Sequence, residues 1–435
     1  MNDIAGIPYV EAQFDKNGSP ENQVTLAAGV TDLFVMSHGW NNSAADAREL
    51  YRKFFENFVA VAKAGDLPGR TFAIVGVIWP SKKFDELVAV SGVPGGAQGA
   101  ASLGAADAES RKALEDKLDR MKEIFTEPEQ QQAIEDAKKL LPDLEESSSA
   151  RREFVEKIRS LLDRTAVNKE DASDSFFKDD GNELMKNLKV DEDDLDEEVG
   201  EAGGSASLPL GVAGAGTTTG GAAGLKEFLS GFKASAMNVL NYATYFAMKA
   251  LAGKVGKDGV AKLIDTLAPQ VQRIHLIGHS FGGRVVAATA ASSSTDKIKS
   301  MALLQTAFSH NGFSLSMKGF FRGVVDQQRV KGPILVTYTK NDKAVGVAYP
   351  LASRINGDKT AAFGDENDVF GGLGRNGAQQ MPGGETIVGK LLTAGSAYAF
   401  QAGKFFNLEA SEFIKDHGDV TGKEIAHAVR IAIAA

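Results

Sequence analysis

Gly278-His279-Ser280-Phe281-Gly282-Gly283 places a serine between glycines two positions away on each side. The apolar run Ile274-His275-Leu276-Ile277 precedes it, and the helix-compatible stretch Arg284 to Ala291 follows. A serine at so tight a strand-to-helix turn needs small neighbours, and glycine supplies both space and backbone freedom. Its hydroxyl then stands clear of the sheet as a nucleophile, and the N–H of the next residue faces the reacting carbonyl. The bare pattern is weak in a chain with 47 glycines, so the flanking elements carry the reading.

A serine hydroxyl needs a base, the base needs an orienting acid, and the developing oxyanion needs donors. The chain has six histidines. His38 and His279 fall in tight loops, His275 within a strand, and His310 just past one. His427 stands about 200° of helical rotation from Ile425, off the apolar stripe of the last helix, and reads as a surface residue. His417, in the polar turn Lys415-Asp416-His417-Gly418-Asp419-Val420, is the candidate base. The acid should follow a strand between Ser280 and His417. Ile334 to Tyr338 is such a strand, and Asp342 comes just after it. Asp326, Asp365, Asp368 and Asp416 compete, but none directly follows an apolar run. For the oxyanion, the N–H of Phe281 is one expected donor. The loop Ser37-His38-Gly39-Trp40-Asn41-Asn42 offers the other, with Trp40 preferred and Gly39 second. Trp79, Tyr245 and His38 are candidates for lining a substrate site, against the plainer role of large rings as core or cleft wall.

These residues require strands and helices to hold them. Tyr9 to Phe14, Val24 to Leu26, Leu33 to Met36 and Phe72 to Trp79 read as strands, the last two as buried ones. Asn42 to Ala64 reads as a helix with Leu50, Phe54, Phe58 and Val61 on one face. Strands resume at Arg273 to Ile277, Ile298 to Leu304, Ile334 to Tyr338 and Phe405 to Leu408. Helices are expected over Lys226 to Ala252 and Gly259 to Leu267. Thr421-Gly422-Lys423-Glu424 has capping-box spacing before a final helix. Strands alternating with helices give an α/β fold with a mostly parallel sheet, whose functional loops lie at the carboxyl ends of the strands.

The stretch between is different. Lys112 to Leu162 is charged and helical in composition. Asp191 to Glu201 carries eight carboxylates and no base. It lacks the central glycine of a calcium loop and reads as a solvated face. Gly203 to Gly224 reads as a flexible linker. The chain is therefore read as 1–80 and 226–435 forming one core, with 81–225 an insertion that is either a lid over the site or a packing and partner-binding appendage. Gly384 to Lys390 has Walker A spacing, but Leu391 stands where a magnesium-binding Ser or Thr is needed.

The chain has 435 residues and a hydrophobic fraction of 43%, ample for a packed core and about two domains. A net charge of -9 argues against a nucleic-acid surface. There is no cysteine, which excludes disulfides and thiolate metal sites. No signal-peptide pattern and no transmembrane stretch is read, so the expectation is a cytoplasmic protein, with secretion lacking a cleaved signal left open.

In order along the chain, His38-Gly39-Trp40-Asn41-Asn42, Trp79-Pro80-Ser81, Gly278 to Arg284, Asn341-Asp342 and His417-Gly418-Asp419-Val420 resemble the α/β-hydrolase superfamily. The likeness is to its bacterial serine hydrolases of mostly unassigned substrate. Asn241-Tyr242 through Val255-Gly256 adds to the resemblance, which covers roughly residues 8–81 and 226–435. Many members have a serine where Gly418 stands. The resemblance implies an α/β-hydrolase fold with the triad Ser280, Asp342 and His417 in family order. It also implies hydrolysis of a small-molecule or lipid carboxylic ester through an acyl-serine, with no cofactor needed. Short or medium acyl chains are the first expectation. A lipase, phospholipase or thioesterase with the insertion as lid, and a non-catalytic binding protein on the same fold, are the alternatives.

Overall fold

The computed structural model describes residues 2–63, 65–81, 103–168, 172–189, 231–342, 355 and 370–435. The chain divides into two compact units. The first comprises Met1–Lys83, Met248–Tyr349 and Ala362–Ala435; the second comprises Phe84–Ala247 and Pro350–Ala361. The acidic run at 191–201, the small-residue stretch at 203–224, Asp365 and Asp368 lie outside the described residues.

The first unit is built on a nine-stranded sheet: β1 (Asn2–Ile4), β2 (Ile7–Gln13), β3 (Asp32–Ser37), β4 (Phe72–Ile78), β5 (Arg273–His279), β6 (Ile298–Leu304), β7 (Ile334–Tyr338), β8 (Thr386–Lys390) and β9 (Phe405–Glu409). Their spatial order is β1-β2-β4-β3-β5-β6-β7-β9-β8. Only β1 pairs antiparallel, with β2; every other neighbouring pair is parallel. The α/β class read from the sequence is thus the observed one. β3 is buried along its whole length, as a strand covered on both faces must be. β3 and β5 lie side by side, yet the chain leaves β3 toward β4 on one side and β5 toward β6 on the other. The loops after these two strands therefore diverge, which opens a crevice at their carboxyl ends.

One face of the sheet is covered by the helices Ala44–Ala60 and Lys423–Ala434. Ser43 opens the first with a reciprocal capping box to Asp46. Its Phe55 and Phe58 pack on Phe34 of β3, ring centroids 5.2 and 5.1 Å away. Ile425, Val429 and Ile433 of the second helix complete this core. The helix Phe281–Ser292 follows β5 and is buried over ten successive residues, Phe281 to Ala290.

Several expectations are corrected. Val24 to Leu26 forms no strand. The Asn22 side chain instead bonds Glu11 O and Gln13 N, taking the place a pairing strand would fill. The Thr421–Glu424 capping box is absent: Gly422 is the N-cap with no side-chain bond, while the Thr421 carbonyl accepts from Asn57 Nδ2. His427 is 4% exposed rather than on the surface. The segment after β8 folds over that side of the helix, and its Ser396 carbonyl lies 2.7 Å from His427 Nε2. The Walker-spaced segment is the edge strand β8, paired along its length with β9.

The described part of the second unit is helical: Leu103–Met121, Pro128–Leu140, Ser148–Ser160, Ser173–Lys178, Gly181–Asn187 and the beginning of Phe232–Lys254. Its composition is charged, but the helices bury Leu118, Ile134, Phe154, Phe176, Leu184 and Tyr242 in a core of their own. Arg151 and Arg159 are buried there too, and their guanidinium groups bond backbone carbonyls of Leu144, Glu145, Phe176 and Asp179. No helix among the described residues is long and apolar enough to cross a membrane.

Candidate active site

Ser280 stands between β5 and the helix Phe281–Ser292 with φ 55° and ψ −126°. That conformation is unfavourable for a residue with a side chain and persists only where its surroundings enforce it. They do so here through hydrogen bonds: Ser280 N donates to Leu304 O at 3.1 Å, and Ala307 N donates to Ser280 O at 3.2 Å. The glycines on either side are required sterically. A Cβ on Gly278 would lie 2.4 Å from Gly282 O, and one on Gly282 would lie 2.1 Å from Ser37 O.

The loop after β3 comes up against this serine. A Cβ on Gly39 would fall 2.4 Å from Ser280 Cβ and 2.9 Å from its Oγ, so only glycine lets the backbone approach. Asn42 Nδ2 donates to Trp40 O and Gly39 O and fixes the loop's curve, with Asn41 in the left-handed region at φ 62°. His38 supports it from below. Its N–H donates to Tyr51 Oη at 2.9 Å, and that hydroxyl donates to Val77 O. Its ring stacks on Trp79 at 13° and accepts from Trp79 N at Nε2. Nδ1 lies 2.9 Å from Gly39 O, so Nδ1 carries the proton. Burial pushes the His38 pKa down to about 4, so the ring is neutral. The Trp40 ring lies 6.0 Å from that of Phe281, and Phe281 begins a helix whose first-turn N–H groups face the serine's end.

His417 lies in the turn between β9 and the last helix. Its Nδ1 is 2.9 Å from Asp342 Oδ2, on the segment after β7. A carboxylate only accepts, so Nδ1 carries the proton and Nε2 is left as the basic atom. Asp342 is fully buried, while the His417 side chain is 23% exposed. His279, the residue before the serine, puts its Nε2 2.8 Å from the His417 carbonyl and must donate to it. Burial, with the neighbouring His417 second, pushes the His279 pKa down to about 3, so it too is neutral. Among the described residues no hydrogen bond joins Ser280 Oγ to His417; catalytic contacts often close only when substrate is bound.

The other candidates are placed elsewhere or otherwise engaged. Asp326 pairs with Arg322, and Asp416 accepts from Gly418 N in its own turn. Trp79 is 3% exposed against His38. Tyr245 is buried in the second unit, beside Tyr242. Another Ser–His–Asp series, unread in the sequence, runs through the interior at the strands' amino ends. Ser300 Oγ lies 2.8 Å from His275 Nδ1, and His275 Nε2 lies 3.2 Å from Asp32 Oδ1. Arg273 and Arg70 also hold Asp32. Burial works to raise the Asp32 pKa, but its bonds from His275, Arg273 and Thr31 prevail and hold it well below the usual carboxylate range. This series is a hydrogen-bond and ion-pair network within the sheet, toward the strand ends opposite the one that Ser280 follows.

Gln305 is the residue that sequence reading passed over. Fully buried at the end of β6, it donates from Nε2 to Asp342 Oδ2 at 3.1 Å and to Gly374 O at 2.8 Å. Its place directly after an apolar strand was the available signal. Comparison of the chain with protein-family models, characterised proteins and solved structures finds no match.

Proposed function

We propose that the chain is a serine hydrolase of the α/β-hydrolase type, acting on carboxylic esters. The observation that carries this reading is the Asp342–His417 hydrogen bond at 2.9 Å, in a unit where His279 ties the His417 backbone to the residue before a positive-φ serine. Nothing in packing alone calls for a strained serine, a fully buried acid and a histidine with its basic nitrogen left over to be gathered at the strand ends.

In this reading Ser280 Oγ attacks the ester carbonyl and passes its proton to His417 Nε2. Asp342 holds the ring in the Nδ1–H form and stabilises the imidazolium. The N–H groups of Phe281 and Trp40 receive the oxyanion. His417 then protonates the departing alkoxide, and afterwards takes a proton from the water that hydrolyses acyl-Ser280. The residues between 81 and 225 are read as an insertion in the hydrolase core. Short or medium acyl chains are the preferred substrates.

The test is turnover of p-nitrophenyl acetate, butyrate, octanoate and palmitate. The wild type should hydrolyse at least the shorter esters, and Ser280→Ala should lose about 10³-fold or more in kcat. Equal rates in both proteins would refute the assignment.

A further inference from the structure

We propose that Gln305 is a positioning residue that aims the Asp342 carboxylate at His417. The inference rests on the hydrolase reading above and adds to it a residue outside the Ser–His–Asp set. The Gln305 side-chain nitrogen and His417 Nδ1 converge on the same oxygen, Asp342 Oδ2, at 3.1 and 2.9 Å. The second acceptor of the Gln305 amide is the Gly374 carbonyl at 2.8 Å. Both partners can only accept, so the amide is fixed with nitrogen toward them. Among the described residues its oxygen has no hydrogen-bond partner. A buried amide held one way round at that cost is an orienting device, since a merely space-filling residue would be apolar.

The backbone points the same way. Gln305 has φ 43°, a conformation glutamine rarely adopts, and its N–H bonds Thr337 Oγ1 of β7 at 3.3 Å. Gly374 sits so close that a Cβ there would lie 2.5 Å from the Gln305 carbonyl carbon. The preceding residue, Leu304, accepts from Ser280 N. Consecutive residues at the end of β6 thus register both the nucleophile and the acid. If the carboxylate turned, Oδ2 would leave His417 Nδ1 and the ring would lose its tautomer.

The experiment compares wild type, Gln305→Asn, Gln305→Glu and Asp342→Asn on p-nitrophenyl acetate. Asparagine tolerates the left-handed backbone but is too short to reach Asp342. Q305N should lower kcat 10- to 100-fold with KM within twofold. On the D342N background Q305N should have no further effect, because Gln305 acts through that carboxylate. Q305E is isosteric, and its carboxyl, buried against Asp342, keeps a proton that it can donate to Oδ2 as the amide does. Its kcat relative to wild type should therefore fall as pH rises and that proton is lost, because two like charges then face each other. Among the described residues the titratable or charged groups beside the pair are His279, Asp416 in the His417 turn, and Arg375, whose guanidinium bonds the Asp342 carbonyl; all are unchanged in every variant. Wild-type kcat in Q305N, or a Q305E-to-wild-type kcat ratio that does not change with pH, overturns the proposal. If Q305N does not fold by circular dichroism, the Q305E profile decides alone. An inactive wild type would instead mean that the hydrolase reading itself has failed.

Discussion

Asp342 is the residue on which the assignment of the base depends, because it leaves His417 only one basic nitrogen. Asp342→Asn presents an amide that can donate to Nδ1 and select the opposite tautomer. We expect kcat to fall about 10³- to 10⁴-fold with the fold intact by circular dichroism. The buried Ser300–His275–Asp32 series provides the control: Ser300→Ala should leave ester turnover within twofold, and a large loss there would mean the wrong serine has been chosen. Gly39 is a test of approach rather than chemistry. In Gly39→Ala the new methyl would sit 2.4 Å from Ser280 Cβ, so loop or serine must move. Displacements of that order cost about 10²-fold in rate, and steady-state kinetics on p-nitrophenyl acetate should show it in kcat/KM. Unchanged kinetics would place the β3 loop outside the site.

At the scale of elements, the sequence was most readable where burial is complete. β3, β6 and β7 are short apolar runs covered on both faces, so composition alone marks them. Chain order then puts Ser280, Asp342 and His417 each past its own strand. What stayed illegible depends on partners remote in sequence. His427 is buried because an earlier segment folds over it, the bond to Ser396 spanning 31 residues. β8 is a half-exposed edge strand whose glycine and lysine imitate a phosphate loop. Asn22 replaces a pairing strand with one side chain, which no periodicity reports. Gln305 stands after an apolar strand, which marks it as a candidate, but its role exists only once β6 and the segment after β7 are neighbours. The helix Ala44–Ala60 shows how an element serves the site. Its Tyr51 hydroxyl, fully buried, accepts from His38 N and donates to Val77 O. Tyr51→Phe strands both groups and should cost about 1–3 kcal/mol. Denaturant unfolding followed by tryptophan fluorescence will measure this; an unchanged midpoint would show that the loop does not depend on that hydroxyl.

Across the whole molecule, the sheet brings together groups that titrate with unfolding. Burial holds His38 at about 4 and His279 at about 3, and it lowers His275 as well. His38 and His279 are neutral in the folded chain and take up a proton on unfolding below about pH 6.5, and His275 is shifted in the same direction. Their contribution is therefore fully present above that pH and is lost as pH falls toward the folded values. His38 and His279 each remove about 1.4 kcal/mol per pH unit in that window. Asp32, held low in the folded state, adds to the loss below about pH 4. The chain has two tryptophans, Trp40 and Trp79, and Trp79 stacks on His38. Their fluorescence should show a denaturation midpoint that drops steadily from pH 6.5 to 4.5; a flat midpoint would mean these rings are charged in the fold. The same architecture makes the central claim directly testable, because a serine activated by its surroundings reacts where ordinary serines do not. The folded protein should be treated with a fluorophosphonate and the adduct located by peptide mass spectrometry. The expected result is a single phosphonyl group on Ser280 in the wild type and none in Ser280→Ala. A folded wild type that stays unlabelled, or labelling that survives the substitution, would contradict the assignment of Ser280 as the nucleophile.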